Sequence, residues 1–175
     1  MSLSVIIGCM FSGKSTELIR LVNRYKSIGK NILTINHALD QRYSKNMIVS
    51  HSGSKMDAMQ TSVLPTEVQE YDIIAIDEAQ FFSDLVPKVL EYVETYNKKV
   101  IVAGLSGDYR RKPIGNILEL IPLCDKLWMS VAYCSICKDG TKASFTKRLS
   151  NSTEQIEVGE ADGYIAVCRK CYISV

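Results

Sequence analysis

Residues 8–15 match the phosphate-binding loop pattern G-x-x-x-x-G-K-[ST] at every fixed position. They are Gly8, Cys9, Met10, Phe11, Ser12, Gly13, Lys14 and Ser15. Backbone N–H groups of such a loop, and the helix N-terminus after it, face phosphate oxygens. We expect Lys14 to reach the β- and γ-phosphates of ATP and the Ser15 hydroxyl to ligate Mg²⁺. The alternative is a chance glycine-rich turn, but an apolar run precedes the loop and a helical pattern follows it, which favours ATP binding.

Two adjacent carboxylates, Asp77 and Glu78, follow the apolar run 73–76. Ligands of open α/β sheets bind at the carboxyl ends of strands, where these side chains would lie. We expect Asp77 to hold hydrated Mg²⁺ and Glu78 to accept the proton of an attacking hydroxyl, although spacing alone leaves the two roles open. Alone, the pair would suit a solvated strand end. Together with a complete phosphate loop, it predicts phosphoryl transfer.

Four of the six cysteines form two C-x-x-C pairs, Cys134 with Cys137 and Cys168 with Cys171. Two such turns can supply the four thiolates of a tetrahedral site, and Zn²⁺ suits a closed four-sulfur site. With no open coordination position, the predicted Zn²⁺ is structural. The spacer is longer than in the usual zinc ribbon, so it must form its own hairpin or loop. Two disulfides or four free thiols are the alternatives.

The elements around these motifs alternate between strands and helices. Apolar runs predict strands at 3–7, 31–36, 73–76, 100–103 and 127–132, and helices begin near Gly13 and Ser83. The second helix is predicted to bury an apolar stripe of Val86, Val89, Leu90 and Val93. This alternation predicts an α/β fold with a parallel sheet covered on both faces. Residues 37–57 are polar without a clear period and are predicted to be a mobile loop. Composition changes after Tyr133, which predicts an ATP-binding core at 1–132 and a zinc-binding domain at 133–175.

Bulk composition narrows the functional classes. The chain has 175 residues, 46% hydrophobic residues and a formal net charge of +2, which fits one compact domain with a small appendage. The near-balanced charge argues against a nucleic-acid or membrane partner. No stretch is long and apolar enough to span a membrane, and the N-terminus lacks a signal-peptide pattern. We therefore expect a cytoplasmic location.

Taken together, the motifs resemble those of the type II thymidine kinases, the small zinc-containing class. The similarity runs along nearly the whole chain through the segments IIGCMFSGKSTELIR, DQRY, IDEAQFF, RRKP, SFTKRL and CRKCY. The resemblance implies a RecA-like P-loop core and a small zinc-binding domain that carries a lasso loop. It also implies transfer of the ATP γ-phosphate to thymidine, with deoxyuridine also accepted, in nucleotide salvage for DNA synthesis. Further implications are a homotetramer and feedback inhibition by dTTP in the substrate site.

The resemblance also implies roles for individual residues. Glu78 becomes the general base, and the phosphate loop and Asp77 become the ATP site. The implied substrate-binding residues are Met10, Phe81, Leu105, Tyr109, Thr146, Ile156, Glu157, Val158, Gly159 and Tyr164. Arg42 and Arg148 are candidates for additional stabilisation of transferring charge. The chain departs from the family pattern after Val158, where it is one residue shorter, and at Ser106, Tyr109 and Ile114, so its pocket selectivity can differ.

Two other classes remain as alternatives. A P-loop ATPase coupled to nucleic acid, gripping DNA with its zinc knuckles, would use the same phosphate loop and acidic residue, although the near-neutral charge argues against it. A binding module that has lost catalysis would not need Lys14, Ser15, Asp77 and Glu78 together. Within the kinase class, another pyrimidine nucleoside is a further alternative acceptor.

Overall fold

The computed structural model describes residues 1–40, 47–50, 53–156 and 163–174, which are built around a six-stranded parallel sheet. The six strands are β1 (Ser2–Gly8), β2 (Ile32–His37), β5 (Met59–Thr61), β6 (Ile73–Asp77), β7 (Lys99–Leu105) and β8 (Lys126–Ser130). Their order in the sheet is β5-β2-β6-β7-β1-β8, so one strand separates the phosphate-loop strand β1 from the acidic strand β6. The predicted parallel α/β sheet is confirmed.

Helices cover both faces of the sheet, which is why the central strands are apolar throughout rather than alternating. Helix α1 (Lys14–Lys26) packs Leu18 and Val22 on one face. The opposite face carries helix α2 (Leu85–Leu90), its π-helical continuation Glu91–Thr95 and a 3₁₀ helix at Ile117–Leu123. None of the helices in the described part of the chain is long and apolar enough to cross a membrane.

The prediction of a mobile loop at 37–57 is wrong where the structure has strands, and residues 41–46 and 51–52 of that range lie outside the described residues. Strand β2 extends to His37, and β3 (Met47–Val49) pairs antiparallel with β4 (Lys55–Asp57). Ile48 lies opposite Met56, and both side chains are buried in the core beside α1. Each strand has three residues and one inward side chain, so no periodicity could show in the sequence.

The C-terminal part of the chain forms small hairpins beside the phosphate loop. Strand β9 (Ala132–Tyr133) pairs with β10 (Lys142–Ala143), β11 (Phe145–Arg148) pairs with β12 (Tyr164–Val167), and helix α3 (Arg169–Ile173) follows. The core of these hairpins contains Cys9 from the phosphate loop as well as Cys134 and Cys168. The boundary at residue 132 remains a prediction.

Candidate active site

The phosphate loop depends on glycine at both of its ends. At Gly8, a Cβ atom would lie only 2.4 Å from the Ser130 carbonyl oxygen and 2.6 Å from Ser12 Oγ. At Gly13, the residue that caps α1, φ is 80°, in the left-handed region that glycine adopts without steric cost. The loop can therefore turn tightly from β1 into the helix, with its backbone close to where phosphate oxygens bind.

Lys14 is held inside this loop. Its side chain is buried, and Nζ donates a hydrogen bond of 2.8 Å to the carbonyl oxygen of Cys9. Ser12 Oγ donates to the same carbonyl at 2.8 Å. The loop thus keeps the ammonium group within its own curve, the position from which a lysine can reach bound phosphates.

Asp77 lies at the carboxyl end of β6, buried and hydrogen-bonded to the Ser15 hydroxyl. Burial, followed by the neighbouring charge of Glu78, raises the pKa of Asp77 to about 7, whereas the Ser15 hydrogen bond and the Lys14 charge act in the opposite direction. Two adjacent carboxylates, one of them buried, favour a cation bound beside them. A serine hydroxyl and a carboxylate are the oxygen donors that Mg²⁺ prefers, so these residues fit that ion.

Glu78 is the first residue after β6, and its backbone adopts a left-handed conformation, with φ 50° and ψ 37°. Its Oε2 accepts a 2.6 Å hydrogen bond from Gln80 Nε2. The buried Gln80 in turn accepts a 3.0 Å bond at Oε1 from the backbone N–H of Leu105, at the end of β7. The predicted base and the predicted pocket residue Leu105 therefore share one amide partner.

An aromatic cluster lies next to Glu78, around the predicted pocket residue Phe81. The ring of His37 lies 5.6 Å from the Phe81 ring and 4.6 Å from the Phe82 ring, centroid to centroid. His37 Nδ1 accepts a 3.1 Å hydrogen bond from the backbone N–H of Leu39, and burial lowers the pKa of this histidine. A neutral imidazole therefore packs against the rings of Phe81 and Phe82.

The hairpins contact the phosphate loop directly. The backbone N–H of Met10 donates a 3.0 Å hydrogen bond to Thr146 Oγ1, and the buried Cys9 thiol donates to the Ala143 carbonyl at 3.4 Å. Burial raises the pKa of the Cys9 thiol, so it acts as a packed neutral group. The structure thus brings together Met10 and Thr146, two predicted substrate-binding residues from distant parts of the chain.

A second cluster joins the predicted pocket residues Tyr109 and Tyr164 through Arg148. The guanidinium carbon of Arg148 lies 3.9 Å from the Tyr109 ring centroid and 5.1 Å from that of Tyr164, and its Nε donates to Tyr164 Oη at 3.0 Å. Its Nη1 and Nη2 groups donate to the carbonyl oxygens of residues 152, 154 and 155, and Nη2 also donates to Tyr164 Oη. Arg148 therefore ties the chain that follows β11 to the two tyrosines.

The four paired cysteines meet in space, and their Sγ atoms all lie within 4.8 Å of one another. The Cys137 sulfur lies 3.9 Å from that of Cys168 and 3.5 Å from that of Cys171. A tetrahedral zinc with bonds of about 2.3 Å would separate its sulfur ligands by about 3.8 Å. The thiols are free rather than disulfide-bonded, so the geometry fits a metal site.

The electrostatics of the four sulfurs also favour a bound cation. Backbone N–H groups lower the pKa of Cys134 to about 6, whereas hydrogen bonding to Cys171 raises the pKa of Cys137 to about 12. The Cys134 thiolate is therefore readily formed, whereas the Cys137 thiol resists ionisation beside it. A metal cation would offset the repulsion among four thiolates.

Comparison with known proteins places these features in one family. The protein-family model described as thymidine kinase matches residues 1–172. This chain belongs to the thymidine kinase family. The thymidine kinase of myxoma virus (strain Uriarra) is 44% identical over 172 residues, covering 96% of this chain and 94% of the viral protein. The vaccinia virus (strain Western Reserve) thymidine kinase is 42% identical over 174 residues, covering 98% of this chain and 96% of the viral protein. The Choristoneura fumiferana entomopoxvirus thymidine kinase is 39% identical over 181 residues, covering 98% of this chain and 96% of the viral protein.

Membership of the thymidine kinase family confirms the predicted family and the predicted class of enzyme. The structure gathers Phe81 and Leu105 near Glu78, and Tyr109 and Tyr164 around Arg148. Ile156 is at the end of a described stretch and is 40% exposed. Four predicted residues lie outside the described residues: Arg42, Glu157, Val158 and Gly159. No sequence pattern indicates a role for Gln80 or His37, although Gln80 is part of the IDEAQFF segment.

Proposed function

We propose that this chain transfers the γ-phosphoryl group of ATP to the 5′-hydroxyl of thymidine, giving dTMP, and that it also accepts deoxyuridine. The observation that carries the proposal is the pairing of a complete phosphate loop with Asp77 and Glu78, in a chain of the thymidine kinase family. Salvage of thymidine for DNA synthesis is the corresponding cellular role.

ATP binding falls to the phosphate loop in this proposal. Backbone N–H groups of residues 8–15 surround the phosphates, and the buried Lys14 ammonium, held at the Cys9 carbonyl, places its charge beside the β- and γ-phosphates. Ser15 and Asp77 would hold Mg²⁺, Asp77 directly or through water. When bound, Mg²⁺ would neutralise part of the charge on the transferring group.

Glu78 is the proposed general base. It accepts the proton of the 5′-hydroxyl while that oxygen forms a bond to the γ-phosphorus. The bond from the γ-phosphorus to the β–γ bridging oxygen breaks, and ADP leaves with that electron pair. Phosphoryl transfer demands little covalent chemistry from the protein, so placement of these groups matters most.

The nucleoside would lie between the sheet edge and the hairpins. Phe81 and Leu105 would form the wall beside Glu78, and Thr146 and Tyr164 would contribute from β11 and β12. Residues 156–159 are proposed to contact the pyrimidine. A structural Zn²⁺ at the four cysteines would hold the hairpins in place. The homotetramer, the cytoplasmic location and feedback by dTTP remain proposals that follow from the family resemblance.

A nucleoside panel tests the proposed function. We expect ADP release from MgATP to depend on thymidine and more weakly on deoxyuridine. Little ADP should form when a ribonucleoside is the only acceptor. ADP release stimulated by single- or double-stranded DNA, without consumption of any nucleoside, would instead favour a nucleic-acid-coupled ATPase. Release that no nucleoside changes would contradict the proposal.

Arg148→Lys tests how the loop after β11 serves nucleoside binding. Lysine keeps the charge but cannot bond three carbonyl groups and stack on Tyr109 at once. Loss of one or two charge-assisted hydrogen bonds should raise the KM for thymidine about 10-fold, with the KM for MgATP within about 2-fold. Steady-state kinetics measure both constants. Arg20→Lys, on the exposed surface of α1, is the matched control. An unchanged thymidine KM, or a kcat loss alone, would contradict the assignment.

A further inference from the structure

Glu78 lies just beyond the end of strand β6, so the strand backbone does not fix the direction of its side chain. The ladder between β6 and β2 ends at Asp77, and Glu78 turns into a left-handed conformation, with φ 50°, before a 3₁₀ helix at Ala79–Phe81. Residues other than glycine adopt this region infrequently, and such conformations persist where surrounding contacts impose them. The direction of the Glu78 carboxylate therefore depends on contacts beyond the strand.

Gln80 supplies one such contact and is itself fixed at both ends of its amide. Nε2 donates to Glu78 Oε2 at 2.6 Å, and Oε1 accepts from the Leu105 backbone N–H at 3.0 Å. Reversal of the amide would place two donors against each other at Leu105 and two acceptors against each other at Glu78. The side chain is only 3% exposed, so water cannot readily replace either bond.

The end of β7 leaves just enough room for this amide. A Cβ atom at Gly104 would lie 2.4 Å from Gln80 Oε1 and 2.6 Å from Ile117 Cδ1. The amide therefore packs directly against the backbone of β7 and has no space to shift towards it. A movement at the end of β7 would be transmitted through the amide to the carboxylate.

We propose that Gln80 is a positioning residue that orients the Glu78 carboxylate towards the acceptor hydroxyl, by tying it to the end of β7. This inference rests on the proposed function of Glu78 as the base. Displacement of a reacting group by about 1 Å can cost about 10²-fold in rate, so an unheld carboxylate would lower turnover without removing ATP binding. Leu105 is also a proposed pocket residue, which places the base and the nucleoside wall on the same support.

A double-mutant cycle tests the proposal through the kcat of thymidine-dependent ADP release. Gln80→Met keeps side-chain length but loses both hydrogen bonds. We expect it to lower kcat by about 10- to 10²-fold with the KM for MgATP within about 2-fold. In a Glu78→Gln background, where no base remains to be oriented, the same change should cost less than about 3-fold. Gln69→Met, at an exposed glutamine, is the matched control.

The outcomes separate this inference from the proposed function. If Glu78→Gln lowers kcat strongly but Gln80→Met costs the same factor in both backgrounds, Gln80 has only a structural role and the inference is overturned. An unimpaired Gln80→Met enzyme would also overturn it. If Glu78→Gln itself retains turnover, the proposed base is wrong and the inference falls with it. Should Gln80→Met fail to fold, Gln80→Asn keeps the amide but shortens the side chain by one methylene, so that it cannot reach both Glu78 and Leu105, and the same non-additive loss is expected.

Discussion

Glu78→Gln is expected to lower kcat for thymidine phosphorylation by about 10²-fold or more while MgATP still binds. Glutamine has nearly the same size, and its amide oxygen can still accept the hydrogen bond from Gln80. The variant therefore keeps the local packing but removes the group that accepts the hydroxyl proton. Steady-state ADP release gives kcat, and calorimetric titration with MgATP gives the dissociation constant.

The control for this variant is Glu67→Gln, which makes the same change at an exposed position. We expect it to leave kcat and MgATP binding within about 2-fold of the unmodified enzyme. Retention of most turnover by Glu78→Gln would show that another group accepts the proton. Loss of MgATP binding in the variant would point instead to an effect on the neighbouring Asp77.

Cys168→Ser is expected to remove the bound metal and most of the enzyme activity. Four thiolates hold a structural zinc with an apparent free energy of about 10–16 kcal/mol in small zinc-binding peptides, so the loss of one ligand is severe. Cys168 also accepts a hydrogen bond from the backbone N–H of Cys171 and belongs to the small core beside the phosphate loop. Without that core, Thr146 and Tyr164 lose their support. Elemental analysis for zinc, thermal unfolding and kcat measure the three expected losses.

Cys124→Ser is the matched control, because Cys124 is only half-buried and lies outside the four-cysteine cluster. We expect it to keep one zinc ion per chain and nearly full activity. Protein that is purified free of metal, yet has full activity and an unchanged unfolding temperature, would contradict a structural zinc. Activity that returns only with a different metal would keep the site and correct the identity of the ion.

The parts of the fold that the sequence predicts are those encoded by neighbouring residues. The phosphate loop is one continuous segment with an apolar strand before it, and Asp77 follows a run of four apolar residues. The cysteine pairs carry their own spacing. Each of these patterns is local, so its structural meaning does not depend on what the rest of the chain does.

Contacts between distant segments were beyond the reach of sequence pattern. The Cys9 thiol is hydrogen-bonded to Ala143, and the Gln80 side chain is hydrogen-bonded to Leu105. In both pairs the partners lie far apart along the chain. No periodicity marks such pairs, because their partners are set by the order of the strands in the main sheet and by the packing of the hairpins on the phosphate loop. The hairpin of β3 and β4 has no sequence signature for a related reason. Its two buried residues, Ile48 and Met56, are buried only because they pack in the same core as α1.

The helix after β6 shows a smaller difference of the same kind. The sequence predicts an apolar stripe of Val86, Val89, Leu90 and Val93, whereas the buried side chains are Leu85, Val89, Tyr92 and Val93. The helix widens at Glu91, where the Tyr96 N–H bonds to the Glu91 carbonyl five residues back at 3.1 Å. Such a π-helical turn changes which residues face the core, so a regular helical period does not describe the buried face.

The most direct test of the proposed thymidine kinase activity is to identify the atom that receives the phosphoryl group. ATP labelled on its γ-phosphorus would be incubated with the enzyme and thymidine, 3′-deoxythymidine or 5′-deoxythymidine, and the products separated and quantified with ADP. We expect equal amounts of ADP and labelled 5′-phosphate from thymidine, transfer also to 3′-deoxythymidine, and none to 5′-deoxythymidine. Transfer of label to 5′-deoxythymidine, or ADP formation without any labelled nucleotide product, would contradict the proposed thymidine 5′-kinase activity.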